Sequence, residues 1–214
     1  ERLSGAASRM FDRPEPEGRR VTFLDVTGPA VVLGSTQRHL PDQLADLERR
    51  GAGAGFDVVR RRSGGGAVWL EPGAQVWVDV FVPRGDPVWS DDVGRAFWWL
   101  GQVWVDMLAR LGVTEAEAHH GALLCTPWSS EVCFGGVGPG EVMLAGRKVV
   151  GIAQRRTKAG ALFQCAALLH WDPAPLAAAL GLPPEAANDL ADVAAGLPGV
   201  EALALADAFT AALP

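Results

Sequence analysis

The sequence predicts an α+β domain in which helices flank a mixed, mostly antiparallel sheet. Three observations point there. Short alternating apolar runs outnumber helical ones, successive runs are joined by hairpin-type turns, and helical periodicity is confined to three stretches. With 214 residues, 49% apolar and 21% charged, the chain can bury a substantial core. No internal repeat and no linker interrupts it, so one domain is expected over residues 21–214.

Residues 1–20 are polar and carry Pro14 and Pro16, which reads as a loose lead-in. Val21–Val26 and Pro29–Leu33 read as strands, the second ending in the polar glycine turn Gly34-Ser35-Thr36-Gln37. Leu40, Leu44 and Leu47 have helical spacing, with Pro41 at the start and Gly51 past the end, predicting a helix over 41–50. The run Gly51-Ala52-Gly53-Ala54-Gly55 is expected to break regular structure. Phe56–Val59 and the alternating Gln75–Val82 follow as strands. A helix over Asp92–Leu111 has Ser90 or Asp91 as its cap and Gly112 as its stop. Its tryptophans, Trp98, Trp99 and Trp104, read as core packing. Strands are expected near Glu115–His119 and Glu131–Phe134. A hairpin Glu141–Ala145/Lys148–Gln154 and a strand Ala161–Leu169 complete the sheet. The alanine- and leucine-rich remainder from Pro173 is helical.

Composition excludes several classes. A net charge of −6 and a pI near 5.2 argue against a nucleic-acid binder. No apolar run is long enough to span a membrane and no signal peptide leads the chain, so a cytoplasmic protein is expected. The three cysteines (Cys125, Cys133, Cys165) contain no CxxC pair, and with the four histidines they form no zinc spacing. Cys125 and Cys165 read as core residues.

Two short stretches hold positive charge without a nearby acid. One is Arg60-Arg61-Arg62. The other spans 147–158 with Arg147, Lys148, Arg155, Arg156 and Lys158, and Lys148 is one of only two lysines in the chain. The first runs into Ser63-Gly64-Gly65-Gly66. Three glycines let backbone N–H groups approach an anion, and the arginines beside them offer forked donors for carboxylate or phosphate. The pattern lacks the Gly-Lys-Ser/Thr ending of a P-loop and is no GxGxxG fingerprint.

Arg60-Arg61-Arg62-Ser63-Gly64-Gly65-Gly66-Ala67-Val68 resembles the RRxSGGGAV signature of lipoate–protein ligases and related protein acyltransferases. Gly146-Arg147-Lys148-Val149-Val150-Gly151-Ile152-Ala153 resembles the same family's lysine motif, and Pro29–Gln37 its early strand and glycine–glutamine turn. The resemblance covers roughly Val21 to Asp172. It implies a biotin/lipoate ligase-like catalytic domain that activates lipoate or octanoate with ATP and magnesium as an acyl-adenylate. The acyl group then passes to a lysine of a lipoyl domain, in 2-oxoacid dehydrogenase complexes or the glycine cleavage H protein. Carried onto this chain, the family's motif positions imply nucleotide contacts from Arg61, Gly66, Ala67, Val68, Trp69 and Lys148. They imply acyl contacts from Arg60, Gly64, Gly65, Gly34 and Gln37, with Lys148 over the acyl carbonyl as the catalytic residue.

The chain departs from the ligases in two ways. Their usual asparagine–aspartate pair before the lysine hairpin is replaced by Cys133-Phe134-Gly135-Gly136. The sequence ends near 214 without the accessory domain of many ligases, so an accessory subunit is an open expectation. Cys133-Phe134 instead resembles the nucleophilic cysteine of octanoyl and lipoyl transferases, which implies a thioester route without ATP. A non-catalytic acyl- or adenylate-binding subunit is the third reading. A biotin ligase is disfavoured, because the serine–triple-glycine loop replaces the GRGRRG type.

Overall fold

The computed structural model describes residues 1–39 and 41–214; Leu40, counted in the helical spacing above, lies outside the described residues. The chain opens with strand β1 (Arg2–Gly5) and helix α1 (Ala7–Phe11), followed by β2 (Arg20–Val26), β3 (Ala30–Leu33), helix α2 (Pro41–Ala54), β4 (Asp57–Arg60), β5 (Val68–Leu70) and β6 (Gln75–Pro83). Helix α3 (Trp98–Arg110) leads to β7 (Ala116–Ala118), β8 (Leu124–Cys125), β9 (Gly136–Val137), β10 (Val142–Leu144), β11 (Arg147–Arg156) and β12 (Gly160–Leu168). Helices α4 (Ala174–Leu180), α5 (Pro184–Val193) and α6 (Ala202–Ala212) end it.

Seven strands form the main sheet in the order β1-β2-β6-β12-β11-β10-β7. All neighbours are antiparallel except β1 and β2. Side chains alternate across it, so each strand serves two different environments. Val78, Val80 and Val82 of β6, with Phe163 and Cys165 of β12, pack under α3 and α6 through Leu100, Trp104, Met107, Leu205 and Phe209. The opposite face carries Trp77, Asp79 and Phe81 of β6 and Leu162 and Gln164 of β12. Cross-strand register aligns Thr22, Asp79, Gln164 and Ala153 in one row. Over this second face lie a small sheet, β4-β3-β5, and a second core cluster that includes Leu33, Val68, Val132, Phe134 and Leu190. The candidate site lies between this sheet face and the small sheet.

The α+β class and the predominantly antiparallel sheet are as predicted; four local expectations are corrected. The lead-in is ordered: β1 pairs with β2, and Met10 and Phe11 of α1 are buried, with Phe11 edge-on to Trp77 at 5.0 Å. Its polar composition concealed two apolar anchors. Helix α2 runs through Gly51 to Ala54, because Gly51 faces the tight approach of Phe56, whose carbonyl would lie 2.6 Å from a Cβ. Gly55, at φ +80°, supplies the left-handed stop. The helix expected from Asp92 begins as a 3-10 turn at Arg95–Phe97 and becomes α-helical at Trp98. There the Asp92 carboxylate accepts the N–H groups of Gly94 and Arg95, a local competitor of the helix. Finally, Glu131–Phe134 is no strand. Val132 bridges Ala67 and the chain then enters a 3-10 turn at Cys133–Gly135.

No described helix is long and apolar enough to cross a membrane. The order of the N-terminal segment is checked by Phe11→Ala. Its burial against Trp77 predicts a loss of about 3 kcal/mol in denaturant unfolding, as for other buried aromatics. A loose lead-in would give a change of about 0.5 kcal/mol or less.

Candidate active site

The glycine turn after β3 and the triple glycine after β4 close against each other. A Cβ on Gly34 would sit 1.8 Å from the carbonyl oxygen of Gly65, so only glycine permits this contact. Gly65 itself has φ +94°. Arg60 donates to the carbonyls of Gly34 and Gln37 at 2.8 and 2.9 Å. Gln37 accepts from Gly34 N–H and donates to Glu131 O. The Thr36 hydroxyl accepts from Gly65 N–H, and Gly64 packs on its methyl. Gly34, Gln37, Arg60, Gly64 and Gly65, expected to hold the acyl group, brace one another into a double loop, with Gln37 and Gly65 on a cavity wall.

Arg61 is only 2% exposed. Its Nη2 donates to Gly64 O at 2.7 Å and Gly66 O at 3.0 Å, and lies 3.8 Å from Cys133 Sγ. Its Nε is buried without a partner among the described residues. Arg61, expected at a nucleotide phosphate, braces the glycine loop from the interior, with its charge beside the half-buried Cys133 thiol. Ala67, Val68 and Trp69, expected at a nucleotide, form no cavity wall around the glycine loop. Ala67 N–H donates to Glu131 O and its carbonyl accepts from Cys133 N–H, while Val68 is buried in the second core cluster. Trp69 points to the other side of β5, against Phe56 at 5.4 Å. Gly66 abuts the backbone of Val132 and Cys133 too closely for any side chain.

Lys148 is brought to the same place from β11, and it is 1% exposed. Its ammonium donates to Cys133 O at 2.8 Å and Gly136 O at 2.9 Å, and pairs with Glu141 Oε2 at 2.7 Å. The group lies 5.0 Å from the centroid of Phe134. All three N–H donors are thus engaged, which differs from a lysine free over an acyl carbonyl. The glycine of the lysine motif has a local reason: a Cβ on Gly151 would lie 3.3 Å from both Lys148 Cε and Phe134 Cζ. The other basic residues of 147–158 do not converge here. Arg156 donates to the carbonyls of Ser90 and Asp91 and covers Trp89, and Arg155 lies 4.0 Å from Glu15.

Two cavities border the signature stretch, one at Gly65 and Gly66 and the other at Arg62. One, of about 970 Å³, is polar and opens beside Gly65 and Gly66, with Arg38, His39, Arg50, Ser129 and Glu131 on its walls. The other, of about 390 Å³, lies on the sheet face under the N-terminal segment. Met10, Phe11, Pro14, Phe81 and Leu162 give it an apolar wall, and Arg13, Glu15, Arg20, Arg62, Asp79 and Gln164 are among those lining the rest. Sequence reasoning missed this cavity. The alternation along β6 and β12 held the signal, since Asp79 and Gln164 interrupt otherwise apolar strands.

A polar chain ties that cavity to the signature loop. Ser63 Oγ donates to Gln164 Oε1 at 2.7 Å, Gln164 Nε2 donates to Asp79 Oδ1 at 3.1 Å, and Arg13 pairs with Asp79 Oδ2 at 2.7 Å. Burial raises the Asp79 pKa above its ordinary value, against the lowering effect of hydrogen bonds from Trp77 and Gln164 and the charge of Arg13. Of the other cysteines, Cys165 is fully buried and its thiol is pushed up by that burial. Cys125, expected in the core, is exposed.

The family model that matches this chain places it among enzymes of the ligase/acyltransferase class. The chain matches the lipoyl protein ligase A/B catalytic domain over residues 9–201, and it belongs to that family. Its structure is similar to lipoate-protein ligase A bound with ATP, at TM-score 0.68 and 20% identity over 96% of this chain and 74% of that one. It is also similar to the bi-partite lipoate protein ligase of Thermoplasma acidophilum, described with its E2 lipoyl domain, at TM-score 0.67 and 20% identity (96% and 72% covered). LipL1 of P. falciparum, in complex with lipoate, gives TM-score 0.56 at 13% identity (90% and 46% covered). At these identities the likeness is one of fold. A search of curated proteins finds no match.

Asp79 gives a pH-dependent prediction. Because its folded pKa is raised, its contribution to stability is full below the ordinary carboxylate value and is lost as pH rises through the folded value. Asp79→Asn, which imitates the protonated form, should gain in Tm relative to the parent as pH increases from about 4 to about 7. Thermal melts across that range check it; a pH-independent offset would contradict the assignment.

Proposed function

We propose that this chain transfers an acyl group of the lipoate/octanoate class to a lysine of a lipoyl domain, with Cys133 as the intermediate acyl carrier. The observation that carries the reading is the convergence on Cys133. The glycine loop and Arg61 approach its sulfur, Lys148 holds its carbonyl, and Ala67 accepts its N–H. The half-buried thiol packs at the edge of the second core cluster and is fixed on its backbone side at a loop junction, a placement that supports its use as a nucleophile.

In the first step the Cys133 thiolate attacks the carbonyl of an octanoyl or lipoyl thioester. The donor sulfur leaves and takes up the proton that Cys133 gave, and the acyl group rests on Sγ. In the second, the neutral amine of the acceptor lysine attacks that thioester, forms the amide and returns its proton to the departing Cys133 sulfur. No oxidant or nucleotide enters the balance. The 390 Å³ cavity supports an acyl-chain site, and the 970 Å³ polar cavity gives room for the donor's leaving arm. Lipoyl domains of 2-oxoacid dehydrogenase complexes, or the glycine cleavage H protein, are the proposed acceptors in the cytoplasm. An accessory partner is in keeping with the bi-partite relative.

The second reading is ATP-dependent ligation through an acyl-adenylate. It is favoured by the size and polarity of the larger cavity, whose Arg38 and Arg50 suit a polyphosphate. Among the described residues no group of three or more His, Cys, Asp or Glu is placed to hold a metal, so magnesium would be carried by the nucleotide's phosphates. Against this reading, Ala67 and Val68 are spent in packing.

The test uses an apo lipoyl domain with either octanoyl thioester alone or octanoate plus ATP and magnesium. Thioester transfer without ATP, abolished in Cys133→Ser while that variant keeps its parent's Tm, is the expected result. Turnover that requires ATP, releases pyrophosphate and survives Cys133→Ser would overturn it in favour of the ligase. No turnover with either donor would leave a binding subunit.

A further inference from the structure

Glu141 is outside both sequence motifs, yet it is 5% exposed and its carboxylate carries three bonds. Oε2 accepts the Gly138 N–H at 2.6 Å and pairs with Lys148 Nζ at 2.7 Å, while Oε1 accepts the Ile152 N–H at 2.9 Å. Its own carbonyl accepts the His119 N–H at 2.8 Å. One side chain therefore joins the loop after Cys133, the lysine of β11 and the β11 backbone beyond it. Lys148 extends the same connection to the carbonyls of Cys133 and Gly136.

We infer that Glu141 is a positioning residue for acyl transfer: it fixes the Lys148 ammonium, and through it the turn that presents Cys133. The inference rests on the reading of Cys133 as acyl carrier. Its physical basis is that a buried ammonium with three donors needs three acceptors. With Glu141 as one, the remaining two N–H groups have a single geometry, onto the two loop carbonyls. A neutral amide at 141 can still accept one backbone N–H, but it offers no counter-charge. The ammonium is then left unbalanced in the interior and reorients toward water. The turn at Cys133–Gly135 loses both carbonyl tethers, and the thiol moves relative to the glycine loop. Glu141 itself touches no reacting atom.

The experiment compares the parent, Glu141→Gln and the double variant Glu141→Gln/Lys148→Met. It reads single-turnover acylation of Cys133 by octanoyl thioester, KM and kcat for the full reaction, Tm, and amide hydrogen exchange over 133–140. Glu141→Gln is expected to slow acylation about 100-fold, the loss typical of a misplacement of about 1 Å, with KM for the donor little changed and faster exchange over 133–140. The double variant, with no buried charge, should recover Tm but neither acylation nor slow exchange. Acylation by Glu141→Gln at the parent's rate would overturn the inference alone, as would activity in the double variant that returns with Tm. If the parent itself is not acylated on Cys133, the reading of the cysteine falls. Exchange over 133–140 then still decides whether Glu141 orders the loop.

Discussion

The site is organised around one buried ion pair. Lys148 and Glu141 lie 2.7 Å apart in surroundings that include Phe134 and the floor of β11, where neither charge has recourse to water. Such a pair contributes modestly to stability as a unit, but removing either partner costs about 3–5 kcal/mol. Its effect here is on geometry. The ammonium has no donor left over, and the carboxylate already takes two backbone N–H groups, so the chain from Cys133 to Glu141 has little freedom relative to β11. Replacing Lys148 alone therefore strands Glu141 in the core, and any loss of activity in such a variant mixes unfolding with chemistry.

The rest of the site is fitted to that fixed loop by close backbone approach. Gly151 leaves space for the lysine stem, Gly66 abuts the backbone of Val132 and Cys133, and Gly34 meets the carbonyl of Gly65. Arg61, buried behind the loop, holds two of its carbonyls. The glycine-rich signature thus works as a packing device. Its consequence is that the sulfur of Cys133 meets a guanidinium on one side while its backbone carbonyl meets an ammonium.

Much of this architecture was legible from local pattern. The alternation along Gln75–Val82 and Ala161–Leu169 located the central strands, and two motifs far apart in sequence located the residues that meet at the centre. What escaped was set by tertiary contacts. Nothing local marks Glu141 as buried, because its side chain is held both by the loop at Gly138 and by Lys148 and Ile152 of β11. The polar segment 1–20 reads as loose, since Met10 and Phe11 gain their role only against Trp77 and the sheet. Ala67 and Val68 carry the motif's identity but not a ligand surface, because their neighbours across the small sheet and at 131–133 absorb them. The arginines of 147–158 looked like one basic patch, yet alternation on β11 and the loop beyond it sends them to different partners.

The proposal with the most at stake is that a loop tethered by Lys148 and Glu141 presents Cys133 to the acyl carbonyl. The most direct measurement is a crystal structure of the protein after reaction with octanoyl thioester in the absence of acceptor. The expected result is continuous density from Cys133 Sγ to the acyl carbonyl, with Lys148 still on Glu141. An acyl chain bound without a bond to sulfur, and Lys148 released from Glu141 onto an adenylate supplied with ATP and octanoate, would contradict it.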